Sequence, residues 1–234
     1  MKLQRQARRV AFAGTLLLAA AATAAASAPQ ARPRAFDPEL LRTGDIIRYR
    51  DLRRTDFRAA LPPPEAAGLH GGELGAASCV FLATDPDTTI RASAQGDDQY
   101  RGLVRAEVEN LAFLSFMDRQ CSWWNPAPLS LPADYILQHE QIHFALFEIA
   151  ARRLNSRVAE LTRQMRVVTN SQQRAIEELN RRIDAEMQRA LDEVLARSNE
   201  LDNDTSRTYR QDRQNWWWDT VNRELDRLAD ADHP

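Results

Sequence analysis

The chain has 234 residues, with 31 Lys+Arg against 33 Asp+Glu, a length that admits one medium domain or two small ones. Removing an expected leader at residues 1–28 takes away Lys2, Arg5, Arg8 and Arg9 and no acidic group, leaving 27 basic against 33 acidic residues, a net charge of −6. An acidic protein offers no attraction to phosphate backbones or anionic bilayers, which excludes nucleic acid and an anionic membrane surface as principal partners.

The leader reading rests on three consecutive features. Four basic residues are followed by the apolar run Val10–Ala26, and Ala26-Ser27-Ala28 supplies the small-x-small pattern of a signal-peptidase site. Export follows as the expectation, to the periplasm or outside the cell, with no stable membrane anchor once the leader is cleaved. Residues 29–41, rich in Pro, Ala and Arg, read as a poorly ordered lead-in.

Residues 42–129 read as a β-rich part. Ile46-Ile47-Arg48-Tyr49, Ser78–Ala83 and Arg105–Phe116 are short apolar or alternating runs. Pro62-Pro63-Pro64, Gly71-Gly72, Asp85-Pro86-Asp87 and Gly96-Asp97-Asp98 supply turn chemistry between them, so a small antiparallel sheet is expected. Cys79 and Cys121 are the two cysteines of the chain. In an oxidising compartment such an isolated pair reads as a disulfide, and the two are too far apart for the close C-x-x-C spacing of zinc sites.

Residues 130–234 read as helical. Ser130-Leu131-Pro132 is a helix start with Ser as cap and Pro in the first turn, and no Gly or Pro interrupts the chain from there to about Val168. Leu154, Val158, Leu161, Met165 and Val168 form one apolar stripe, and Ile176, Leu179, Ile183, Met187, Leu191 and Val194 form a second. Thr169-Asn170-Ser171 between them is a turn and a new cap, which predicts a helical hairpin with facing stripes. A shorter helix is expected from about Gln211 to Leu228, carrying Trp216-Trp217-Trp218, of which one or two rings pack and another stays exposed.

The first expected helix contains His139-Glu140-Gln141-Ile142-His143, an HExxH motif. Two histidines four apart lie about 40° apart around a helix, so both imidazoles can address one ion. The intervening glutamate lies beside that face, where it can take a proton from water polarised by zinc. The chemistry implied is hydrolysis, most often of a peptide bond. A catalytic zinc takes three protein ligands and leaves one position open. His70, in a Gly-rich loop, and His233, at the C-terminus, are poor candidates, which leaves a carboxylate. Glu148, five residues beyond His143, points about 140° away and is better placed to pair with Arg152. A hairpin turning near residue 169 sets His139 opposite about residue 199, close to Glu200, Asp202 and Asp204.

The segment Leu137–Leu154, LQHEQIHFALFEIAARRL, resembles the DUF922 family of secreted bacterial proteins, described as predicted zinc-dependent proteases, which show HEQxHF followed by E-x-x-A-R. Asp202, Thr205, Gln214 and Trp217 are similar in spacing to that family's YDxxT…Q..W pattern. Thr55-Asp56-Phe57 and Ser122-Trp123 are weaker echoes. The resemblance implies His139 and His143 as zinc ligands, Glu140 as general base and Asp202 as third ligand; Asp204 and Glu200, at the same level of the hairpin, are the alternates. The family carries an acidic residue at the position of Ala145 and a histidine at that of Arg207.

Together these readings predict an α+β protein, its β-rich N-terminal part packed on a long C-terminal helical hairpin carrying HExxH. The function expected is that of a zinc metallopeptidase acting on a peptide or protein substrate. The alternative is a non-catalytic envelope binding module, with zinc structural or absent.

Overall fold

The computed structural model of the chain describes residues 43–63, 74–94, 102–127, 130–206 and 208–231. The leader, the lead-in, His70, Gly71-Gly72, Gly96-Asp97-Asp98, Arg207 and His233 lie outside the described residues.

The first part is antiparallel sheet, as its alternating runs predict. Strands β1 (Ile46–Arg48), β5 (Phe113–Trp124) and β2 (Ala76–Thr84) pair in that order, and β3 (Thr89–Ala94), β4 (Val104–Glu109) and β6 (Arg166–Thr169) pair in that order. The two sheets are consecutive lengths of one bent ribbon. Thr84 pairs with Phe113 and Thr89 with Glu109, so one strand advances five residues while its partner advances four. The extra residue bends the ribbon there. Asn110 sits at the bend with φ 53°, a left-handed conformation that Asn tolerates better than most residues. Cys79 on β2 and Cys121 on β5 are joined by a disulfide, with their Cα atoms 5.7 Å apart, the pairing expected of the two cysteines.

Helix α1 (Ala133–Asn155) carries the HExxH motif and is apolar on almost every face: Ile142, Phe144, Ala145, Leu146, Phe147 and Ile149 are all within 1% of complete burial. A helix apolar all round must be covered all round. Here β2 and β5 cover one side, and helices α3 (Gln172–Thr205) and α4 (Gln211–Ala231) cover the others. The apolar cluster runs without a break from Leu52 after β1 and from Val80 and Met117 in the sheet through α1 to Leu201, Val221 and Leu225.

The hairpin forms, but its connection differs from the expected one. The helix predicted to run to about Val168 stops at Asn155. A short helix α2 (Val158–Gln164) follows, then β6. The stripe residues Leu154, Leu161 and Met165 are buried as predicted, whereas Val168 is 50% exposed and its neighbour Val167 is buried. Val167, Val168 and Thr169 are β-branched and favour a strand. The unpaired edge of β4 accepts them, Val104 against Thr169 and Ala106 against Val167. The expected Ser130 cap is also displaced: Pro132 is the N-cap of α1, without a side-chain bond. The second cap holds, with Ser171 Oγ accepting from the Arg174 amide.

Helix α3 spans 34 residues, about 51 Å, and serves two partners. Near its start Arg182 donates to the carbonyls of Gln164 and Arg166 at the sheet. Near its end it lies antiparallel to α1, with Glu193 beside Arg153 and Asp202 beside the motif histidines. Of the three consecutive tryptophans on α4, Trp217 is buried and Trp218 packs on the core, while Trp216 is 48% exposed beneath the Arg213 guanidinium.

Candidate metal centre

Helical spacing brings His139 and His143 to one face of α1, and the antiparallel run of α3 lays Asp202 across them. His139 Nε2 lies 3.0 Å from His143 Nε2. Asp202 Oδ1 lies 3.1 Å from each of those nitrogens. The three atoms form a nearly equilateral triangle. Four ligands at zinc distances of about 2.0–2.1 Å are separated from one another by about 3.3–3.4 Å when tetrahedral, so this triangle matches three corners of such a shell after widening slightly. Three lone-pair atoms this close repel one another unless a cation or a proton lies among them. The residues therefore fit a divalent transition metal, and two imidazoles with one carboxylate are a zinc donor set.

The electrostatics agree with that demand for positive charge. Burial, the largest influence on Asp202, opposes its ionisation. The charge of His143 and hydrogen bonds from both histidines outweigh it and hold the carboxyl far below the ordinary carboxylate range. Burial likewise opposes protonation of His143, but the Asp202 charge and hydrogen bond prevail and raise its pKa above the ordinary imidazole value.

The centre opens onto a cleft of about 170 Å³, floored by α1 and walled by the Leu74–Ser78 segment on one side and by Leu195, Ser198 and Asn199 on the other. The side chains of His139 and His143 keep 12% and 13% exposure and that of Asp202 keeps 33%, so solvent reaches the triangle from one side.

Glu140 is 6% exposed and lines the same cleft. Its Oε2 accepts from the Ser78 amide at 3.0 Å and from the Ser78 hydroxyl at 2.5 Å. Ser78 falls where the β2–β5 register shifts, between Ala77 and Cys79, so its amide is released from the ladder toward α1. The other oxygen, Oε1, has no hydrogen-bond partner among the described residues. Nothing in the sequence around Ser78 marks this partnership, because a serine within an apolar strand carries no signal of its own.

A ring of polar residues ties α1 to the end of α3 and the start of α4. Tyr135 Oη donates to the Thr205 carbonyl at 2.7 Å. Gln214, fully buried, donates through Nε2 to the Tyr135 carbonyl at 2.7 Å and to Gln138 Oε1 at 2.8 Å. Trp217 Nε1 donates to Asp204 Oδ2 at 3.0 Å, and Arg213 pairs with the same carboxylate. Asp204 is thereby turned away from the histidines, and Glu200 is exposed to solvent. Among the described residues, Asp202 is the one carboxylate grouped with the two histidines. Glu148 pairs with Arg152 at 2.7 Å, as its helical position predicts, and accepts from the Ser115 hydroxyl. Ala145 is fully buried in the core.

Comparison of the chain with family models, with curated proteins and with solved structures finds no match.

Proposed function

We propose that this chain is an exported zinc-dependent hydrolase, a metallopeptidase acting on a peptide or protein substrate in the periplasm or outside the cell. The observation that carries the reading is the triangle of His139 Nε2, His143 Nε2 and Asp202 Oδ1, 3.0–3.1 Å on each side and open to a cleft that Glu140 also lines. The likeness of the two motif segments to the DUF922 family supports it.

His139, His143 and Asp202 would hold the ion. Zinc bound there supplies Lewis acidity to a carbonyl oxygen and makes water more acidic. Glu140 accepts the proton of the attacking water at Oε1, the oxygen left free by Ser78, and returns it to the departing amine. Ser78 fixes the carboxylate through Oε2, and Oε1 is left without a hydrogen-bond partner among the described residues. Strand β2 is at the edge of its sheet beside the cleft, and backbone groups on such an edge suit an extended peptide.

A second reading, a non-catalytic envelope binding module, has one observation in its favour: Glu140 already serves as a bolt between α1 and β2. Two variants separate the readings. Zinc content is measured on the wild type and on His139→Ala/His143→Ala, with about one zinc per chain expected in the first and none in the second. Glu140→Gln keeps an acceptor for Ser78, so it should retain both fold and zinc while losing hydrolysis of a denatured-protein substrate. Zinc retained by a wild type that hydrolyses no substrate would transfer the assignment to the binding module, and hydrolysis unchanged in Glu140→Gln would remove Glu140 as the base.

A further inference from the structure

We propose that the Cys79–Cys121 disulfide is a positioning device for Glu140, so that hydrolysis depends on the oxidation state of a bond one residue removed from the cleft wall. The consequence for hydrolysis rests on the hydrolase reading, but the geometry does not. Glu140 Oε2 accepts from both the amide and the hydroxyl of Ser78, so one residue of β2 fixes the carboxylate. No regular ladder holds that residue. Ala77 pairs with Trp123 and Cys79 with Asp118, so β2 advances two residues while β5 advances five. Residues 119–122 therefore bulge opposite Ser78.

Side chains replace the missing ladder bonds. Ser122 is fully buried; its Oγ accepts from the Cys79 amide at 2.9 Å and donates to the Asp118 carbonyl at 2.6 Å. Asp118 Oδ1 accepts from the amides of Gln120 and Cys121 at 2.9 and 3.2 Å. The far side of the bulge is anchored separately, by the Arg58 amide on the Arg119 carbonyl and the Ala59 amide on the Ser122 carbonyl, each at 2.9 Å. Strand β2 is an edge strand and has β5 as its one sheet neighbour. The disulfide carries the anchorage of the bulge across to β2, at the residue next to Ser78. The chain-entropy gain from a disulfide depends on loop length and not on where in the fold the bond falls. Its place beside Ser78 is what gives this bond a second role. Both cysteines are half-buried, so a reductant can reach them. With a water-soluble phosphine the S–S bond breaks, each sulfur takes one proton, and the phosphorus is oxidised by gaining an oxygen from water. The bulge and β2 are then free to separate, and Ser78 no longer fixes Glu140.

The test compares the oxidised full chain with the same protein after phosphine reduction, alkylation of the thiols and removal of the reagent. Zinc content, backbone amide exchange and hydrolysis of a denatured-protein substrate are measured well below the melting range. Reduction should leave zinc content and the protection of α1 unchanged and speed exchange across Ala76–Val80. It should lower kcat about 10–100-fold at constant KM, the scale of a misplaced reacting group. Ser78→Ala should also lower kcat in the oxidised protein and add little after reduction, because both changes act through one contact. A merely structural bond would lower the melting temperature, leave kcat unchanged, and let Ser78→Ala act equally in both states. If the reduced protein fails to fold, Ser122→Ala loosens the same bulge with the disulfide intact, and kcat should fall in the same direction. Equal kcat in the two redox states, equal exchange across β2, or an unchanged Ser122→Ala would overturn the proposal. An oxidised wild type that hydrolyses nothing would overturn the hydrolase reading instead, and exchange across β2 would then decide whether the bond holds Ser78.

Discussion

Asp56 offers the sharpest quantitative test of how the β-rich part is held beside the centre. Its side chain is 2% exposed yet ionised, because four donors surround it. Arg50 grips it bidentately at 2.8 Å on each oxygen, the Arg53 amide donates at 2.8 Å, and Arg119 lies 3.2 Å away. Removing one partner of a buried, hydrogen-bonded ion pair costs about 3–5 kcal/mol. The Arg50 side chain is 42% exposed, so solvent screens part of that interaction, and about 2–4 kcal/mol is expected for Asp56→Asn. For a domain of this size that is a fall of about 4–16 °C in melting temperature. The pH dependence has a definite sign. Burial, the largest influence, raises the Asp56 pKa, but the Arg50 hydrogen bonds, the Arg53 amide and the two guanidinium charges outweigh it and hold the value below the ordinary 3.8. A depressed carboxyl pKa means that the unfolded chain binds the proton first. The stabilisation is therefore complete above the ordinary value and is lost as pH falls through the depressed one. Urea unfolding of wild type and Asp56→Asn should show a constant gap above about pH 5 that closes below about pH 4. A gap under about 0.5 kcal/mol at pH 7, or one that persists unchanged to the acid limit, would refute this account of the Arg50–Asp56–Arg119 cluster.

Two further outcomes follow from the disulfide and the centre. The Cys79–Cys121 bond closes a separation of 42 residues, so Cys79→Ser/Cys121→Ser should lose about 4 kcal/mol in the same urea assay, within the chain-entropy account. Zinc at a hundred times its dissociation constant should stabilise the protein by about 2.7 kcal/mol, or about 5–11 °C by calorimetry. A chelator should reverse the gain, and His139→Ala/His143→Ala should never show it.

The HExxH pentapeptide and the burial of its helix are legible in the sequence because both are local: spacing fixes the face, and uncharged flanks demand cover. The antiparallel return of the second long helix is legible too, since two apolar stripes of helical period have to meet. The connection between them is not. Leu154, Val158, Leu161, Met165 and Val168 satisfy a helical period, but whether the last of them stay helical depends on an unpaired edge on β4, contributed from about sixty residues earlier in the chain.

The choice among Glu200, Asp202 and Asp204 lies beyond local pattern for a related reason. Two helical residues two apart face about 160° from each other, so whichever carboxylate meets the histidines is set by the rotation of α3 about its axis. That rotation is fixed by packing and by partners far along the chain. Trp217 and Arg213 draw Asp204 to α4, while Leu201 and Thr205 are buried and leave Asp202 on the side of α1. Ser78 is still less visible, because its meeting with Glu140 needs a register shift in a strand sixty-two residues away from the motif.

What the sequence determined by itself is the local and periodic content: an α+β order of elements, an isolated cysteine pair, and two histidines with a glutamate on one buried helix. What only the tertiary structure decided is which distant oxygen completes the triangle, which hydroxyl faces the His139 ring and which strand holds Glu140. Those are meetings of side chains at about 3 Å between elements some sixty residues apart, and their geometry depends on how whole helices and strands pack.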